Sequence, residues 1–121
     1  MRVIRVKAGE YAEAVDINSG LEALQAEVEG FIEAVYPFDD PVAIVCNEEG
    51  KFNGSKLNRA LTDEDGNVYD IIAGTFLVVG LGDEEFTSVP DELLDKYLDK
   101  YKLPERFTFD NGGVVVWKQK A

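Results

Sequence analysis

The chain has 121 residues and a mass of 13.4 kDa, with 24 acidic residues against 12 basic ones and a formal net charge of −12. The lack of histidine excludes a histidine general base, Ser-His and Cys-His nucleophile pairs and histidine-ligated zinc; the single cysteine, Cys46, excludes an internal disulfide or multi-cysteine metal site. At 45% hydrophobic the chain is too apolar for disorder, and its negative charge opposes direct binding to nucleic acid or to an anionic membrane.

In chain order, residues 2–6 and 12–17 read as the strands of a hairpin that turns at Ala8-Gly9-Glu10. Ser19 and Glu22 have the spacing of a capping box, and Leu21, Leu24 and Val28 follow at helical steps. These predict a helix over 20–29, with Gly30 ending it in a left-handed conformation. Residues 31–36 and 42–46 are rich in strand formers and are separated by the turn Pro37-Phe38-Asp39-Asp40-Pro41. Asn47-Glu48-Glu49-Gly50 predicts a tight turn, with Lys51-Phe52 starting a returning strand beside 42–46. Leu57 to Leu61 read as a helical turn and Asp65-Gly66-Asn67 as a loop, while 76–81 is the clearest core strand. Ser88 is the expected cap of a second helix over 89–102, whose apolar face holds Leu93, Leu94, Tyr97, Leu98 and Tyr101. A hairpin turning at Asp110-Asn111-Gly112-Gly113 ends the chain.

The pattern defines a single α+β domain over 1–121, mainly antiparallel sheet with two helices packed on it. Leu24, Val28, Ile32, Val35, Ile44, Val78, Leu94 and Leu98 are its expected core. The 76–81 run is far shorter than a membrane-spanning helix, and the charged N-terminal residues are unlike a signal peptide, so a cytoplasmic location is expected.

Charge placement suggests a site. Residues 8–50 hold eleven acids and no base, and residues 60–95 hold ten acids and no base. Lys51, Lys56 and Arg59 form a basic island between them. Lys51 supplies a point charge, Arg59 a planar fork and Asn58 both a donor and an acceptor. With Asn47 at the preceding turn and Tyr69 as a stacking face, these residues are the candidate site for a small anionic, nucleotide-like ligand. The plainer reading leaves the trio solvated, with Arg59 paired to Asp63. Cys46 reads as a core residue, and Asp63-Glu64-Asp65-Gly66 lacks calcium-loop spacing, since Gly66 falls at position four. No cofactor, metal site or catalytic constellation is expected.

Several runs resemble a known family: Leu21-Glu22-Ala23-Leu24-Gln25, Gly30-Phe31-Ile32-Glu33-Ala34-Val35, Val45-Cys46-Asn47-Glu48-Glu49-Gly50-Lys51, Leu57-Asn58-Arg59-Ala60 and the strand from Ile72 to Gly80. Over about residues 1–82 the chain is similar to domain-of-unknown-function family 3846, leaving a helix and terminal hairpin over 83–121. Phe31 stands where the family usually has tyrosine, and Gly54-Ser55-Lys56 replaces a proline-containing stretch. The resemblance implies carriage by phages, plasmids or integrative elements, sometimes near antirestriction genes, and names no reaction. The expectation is a non-catalytic accessory protein that binds a host factor or small anionic ligand in a defence conflict. The alternative is an acidic protein-binding module, with mimicry of DNA as its limiting case and a homo-oligomer left open.

Overall fold

The computed structural model describes residues 1–121 as one α+β domain built from antiparallel sheets and two helices. The main sheet has six strands: β1 (Arg2–Val6), β2 (Glu13–Asp16), β3 (Ile32–Val35), β4 (Val42–Asn47), β7 (Phe76–Leu81) and the short β8 (Phe86–Thr87). Their order is β2-β1-β7-β4-β3, with β8 on the end of β7. Strands β5 (Leu57–Thr62) and β6 (Val68–Ala73) form one separate hairpin, and β9 (Glu105–Asp110) and β10 (Gly113–Lys118) form another. Helix α1 spans Leu21–Val28 and α2 spans Asp91–Lys100.

Alternating side chains divide the sheet into two buried faces. Val3, Ala43, Val45, Leu77 and Val79 point to α1 and meet Leu24 and Val28. Ile4, Val6, Val42, Ile44, Cys46, Phe76 and Val78 point the other way, toward Tyr97 and Tyr101 at α2 and Leu61 and Ile72 of the β5–β6 hairpin. Burial on both faces explains why β4 and β7 read as unbroken apolar runs. Of the expected core residues, Leu24, Val28, Ile44 and Val78 are buried, while Ile32, Val35, Leu94 and Leu98 are partly buried against the core.

Both helix caps differ from expectation. Gly20, with φ 100°, is the N-cap of α1, and no side chain bonds the helix start, so Ser19 lies one residue outside the position a capping box needs. The left-handed residue at the other end is Glu29, with φ 61°. Gly30 is required for a different reason: a Cβ there would meet Asn47 Nδ2 at 2.5 Å. Pro90 is the N-cap of α2, and the Ser88 hydroxyl instead accepts the Arg2 N–H at 2.8 Å, tying the helix entry to β1.

The middle of the chain also departs from the simple meander. Lys51-Phe52 lies in a turn, and the second neighbour of β4 is β7, paired from Val42↔Gly80 to Val45↔Leu77. Residues 57–61 are strand rather than helical turn. A register shift between Leu57 and Arg59 breaks the alternation, so Asn58 and Arg59 both turn inward. Sequence periodicity cannot reveal a strand whose bulge buries two adjacent polar residues.

Candidate functional site

The expected site residues divide into two environments. Asn58 and Arg59 have no exposed surface. Asn58 Nδ2 donates to the carbonyls of Val6 (2.9 Å) and Gly74 (2.8 Å), linking β5 to β1 and to the β6–β7 turn. Its Oδ1 accepts from Arg59 Nη1 at 2.9 Å. Arg59 Nε and Nη2 donate to the carbonyl of Tyr101 at 3.2 and 2.9 Å, and Nη2 also donates to that of Glu10 at 2.7 Å. Tyr101 closes α2, so the guanidinium meets the negative end of a helix. The expected partner Asp63 instead uses Oδ1 to accept the N–H groups of Asp65 and Asn67 in its own turn. Burial lowers the Arg59 pKa, while nearby Glu105 and Tyr101 oppose that shift. Arginine nevertheless stays charged at any ordinary pH. These two residues join the β1–β2 turn, the end of α2 and the β5–β6 hairpin from inside.

Lys51 and Asn47 lie elsewhere, around a cleft of about 280 Å³ between the β3–β4 hairpin, the turn after β4 and strand β6. Its walls include Val35, Cys46, Leu61 and Ile72; its polar residues are Glu33, Asn47, Glu48, Lys51 and Asp70. The Lys51 ammonium bonds Asp70 Oδ1, which also accepts the Ile71 N–H at 2.8 Å. Asn47 is committed to the scaffold: Nδ2 donates to the carbonyls of Val28 (3.0 Å) and Glu29 (3.3 Å), and Oδ1 accepts the Glu49 N–H at 2.8 Å. It thereby satisfies the free carbonyls at the end of α1 and holds the motif turn in place. Gly50 lets that turn touch β6, since a Cβ there would lie 2.5 Å from the Ala73 carbonyl oxygen. Phe52 stands at the cleft with 88% of its surface exposed. Tyr69 is exposed on β6 and does not line the cleft.

The motif run therefore builds a cleft in which three carboxylates face one lysine, already paired. Sequence reasoning missed Glu33 and Asp70, although each is the lone acid among apolar neighbours in its strand. Neither announces its place until Glu33 pairs with Cys46 across β3–β4 and β6 folds over the gap. Cys46 Sγ donates to the Glu33 carbonyl at 3.7 Å. Burial first, then Glu33 and Asp70, push its pKa up from 9.0 to about 11, against the opposing pull of Lys51.

The thiol consequently stays protonated at neutral pH. A thiol-reactive aromatic disulfide at pH 8 is expected to label Cys46 slowly in the folded chain and rapidly in urea. Equal rates in both states would contradict the burial. Between pH 9.0 and about 11 the folded chain keeps a proton that the unfolded chain has released, so this group's effect on stability turns unfavourable as pH rises through that window.

No group of three or more cysteine, aspartate or glutamate side chains is placed to hold a metal ion, and no helix is long and apolar enough to cross a membrane. The family model for the domain of unknown function DUF3846 matches residues 1–102, and the chain belongs to that family. The matched stretch runs through α2, beyond the boundary near residue 82 read from the sequence, and leaves β9–β10 outside it. No curated protein and no solved structure matches the chain.

Proposed function

We propose that the chain is a non-catalytic accessory module of a phage or mobile element that binds a basic surface of a host protein, in the setting of a defence conflict. The observation that supports this reading is the cleft formed around the motif turn, where Glu33, Glu48 and Asp70 surround Lys51. Such a cleft favours a cationic side chain over a small anion, because a phosphate entering it would meet net negative charge. Arg59, the planar fork an anion site would use, is spent on internal carbonyls. The surrounding net charge of −12 speeds encounter with a basic partner and repels nucleic acid. A protonated Cys46 and the lack of histidine leave no activated nucleophile–base pair among these residues.

Native mass spectrometry of the protein isolated from its host, started at low ionic strength, tests the reading. A protein complex is expected, dissociating as salt rises and weakened by Glu33→Lys with Glu48→Lys at unchanged thermal stability. A retained small-molecule mass without a protein partner would overturn it and restore the anion reading.

A further inference from the structure

We infer that Asn53 is a self-modifying site: in the folded chain the Gly54 backbone nitrogen attacks its side-chain amide, which loses ammonia and ends as aspartate or isoaspartate. Two asparagines, Asn53 and Asn111, precede a glycine, and both lie exposed in turns. Glycine in that place matters because no Cβ shields its nitrogen from the asparagine carbonyl. By sequence the two pairs are equivalent. Folding separates them.

Asn53 Oδ1 accepts from the Ser55 N–H at 3.0 Å and from the Ser55 hydroxyl at 2.5 Å. A backbone N–H can only donate, so this bond fixes oxygen on the Ser55 side and leaves Nδ2 free to depart. The two donors sit where negative charge grows on Oδ1 as the nitrogen adds to Cγ. Ser55 is itself held, since a Cβ on Gly74 would meet its Cβ and Oγ at 3.3 Å. On the other side, the Phe52 and Asn53 N–H groups both bond the Glu49 carbonyl, at 2.8 and 3.0 Å. The amide is thereby positioned before reaction. The attacking Gly54 N–H bonds no protein acceptor, and Gly54 has φ 83° with open space around it. At Asn111 the matching nitrogen, that of Gly112, donates to Asp110 Oδ1 at 2.8 Å. That bond ties up the nucleophile, and the carboxylate disfavours loss of its proton.

In the reaction, the Gly54 nitrogen gives its proton to solvent base and bonds Cγ, and Oδ1 takes the charge. The bond from Cγ to Nδ2 then breaks, and ammonia leaves with a proton from water. Water opens the resulting five-membered imide at either carbonyl, giving aspartate or, with one more backbone carbon, isoaspartate. Overall one water is consumed and one ammonia released, without change of oxidation state. Either product adds a negative charge next to Phe52, which lines the cleft, so the cleft border becomes more acidic as the chain ages.

Incubation of the purified full chain at pH 8, native and in urea, followed by trypsin digestion and mass spectrometry, tests the inference. Cleavage after Lys51, Lys56, Arg106 and Lys118 places the two asparagines in separate peptides. Asn53 is expected to convert several-fold faster in the native chain than in urea, and Asn111 more slowly. Ser55→Ala should slow native Asn53 several-fold and leave the urea rate unchanged, whereas Ser55→Thr, which keeps both donors, should retain the native rate. Asp110→Ala should speed native Asn111. A native Asn53 rate at or below its urea rate overturns the inference, as does a folded Ser55→Ala chain that converts as fast as wild type. If circular dichroism shows Ser55→Ala unfolded, the native-to-urea comparison of the unaltered chain decides alone.

Discussion

Arg59→Met is expected to cost about 3–5 kcal/mol of folding stability, since it strands buried acceptors that only the guanidinium reaches. The carbonyls of Tyr101 and Glu10 and the Asn58 Oδ1 all receive its N–H groups, and the bonds to Tyr101 and Asn58 are buried where solvent cannot readily replace them. At the usual entropy of unfolding per residue, that loss corresponds to a fall of roughly 12–20 °C in Tm for a chain of this length. Arg59→Lys keeps the charge and loses the fork, so it should recover only part of the difference. Urea unfolding followed by circular dichroism measures both variants. A midpoint matching the wild type for Arg59→Met would show that these bonds contribute nothing net. The same geometry changes how a functional defect must be interpreted. Loss of activity in any Arg59 variant reports unfolding, whereas Glu33, Glu48 and Lys51 report on the cleft itself.

Regular elements were legible in the sequence because local periodicity generates them. The α2 stripe and the terminal hairpin, with its Asn-Gly turn, depend on neighbours a few residues away, and both form where expected. The α1 cap was misread because glycine at the N-cap uses a positive φ that serine does not need, shifting the start by one residue. The candidate site was less legible. Asn58 and Arg59 look like surface residues by type, and their burial depends on Val6, Glu10 and Tyr101, which lie 42 to 52 residues away. Counting charges along the chain grouped Lys51 with Arg59. Folding separates them because Lys51 sits on the motif turn and reaches across to Asp70, while the bulge in β5 drives Arg59 inward. The cleft has walls from β3, β4, β5 and β6, so no single stretch of sequence displays it.

Phe76→Ala is expected to be the most damaging change in the apolar core, at about 3–5 kcal/mol. Phe76 is fully buried on β7, the strand between β1 and β4 that both halves of the main sheet share. Its ring meets Tyr101 edge-on, 5.3 Å between centroids at 85°, so it carries the contact between the sheet and the end of α2. Alanine would remove that aromatic contact and leave a void too deep for the rigid sheet to close. Phe76→Leu, which fills most of the volume, should cost less than half as much. Tyr101 provides the contrasting case at the same contact. Its hydroxyl is buried without a protein hydrogen-bond partner, and burial pushes its pKa well above the ordinary phenol range. Removing that hydroxyl keeps the ring, so Tyr101→Phe is expected to be neutral or to stabilise by up to about 1 kcal/mol. Urea unfolding should therefore separate two substitutions at one contact by sign as well as size. Equal losses from Phe76→Ala and Tyr101→Phe would mean that the hydroxyl, and not the packed rings, holds α2 against the sheet.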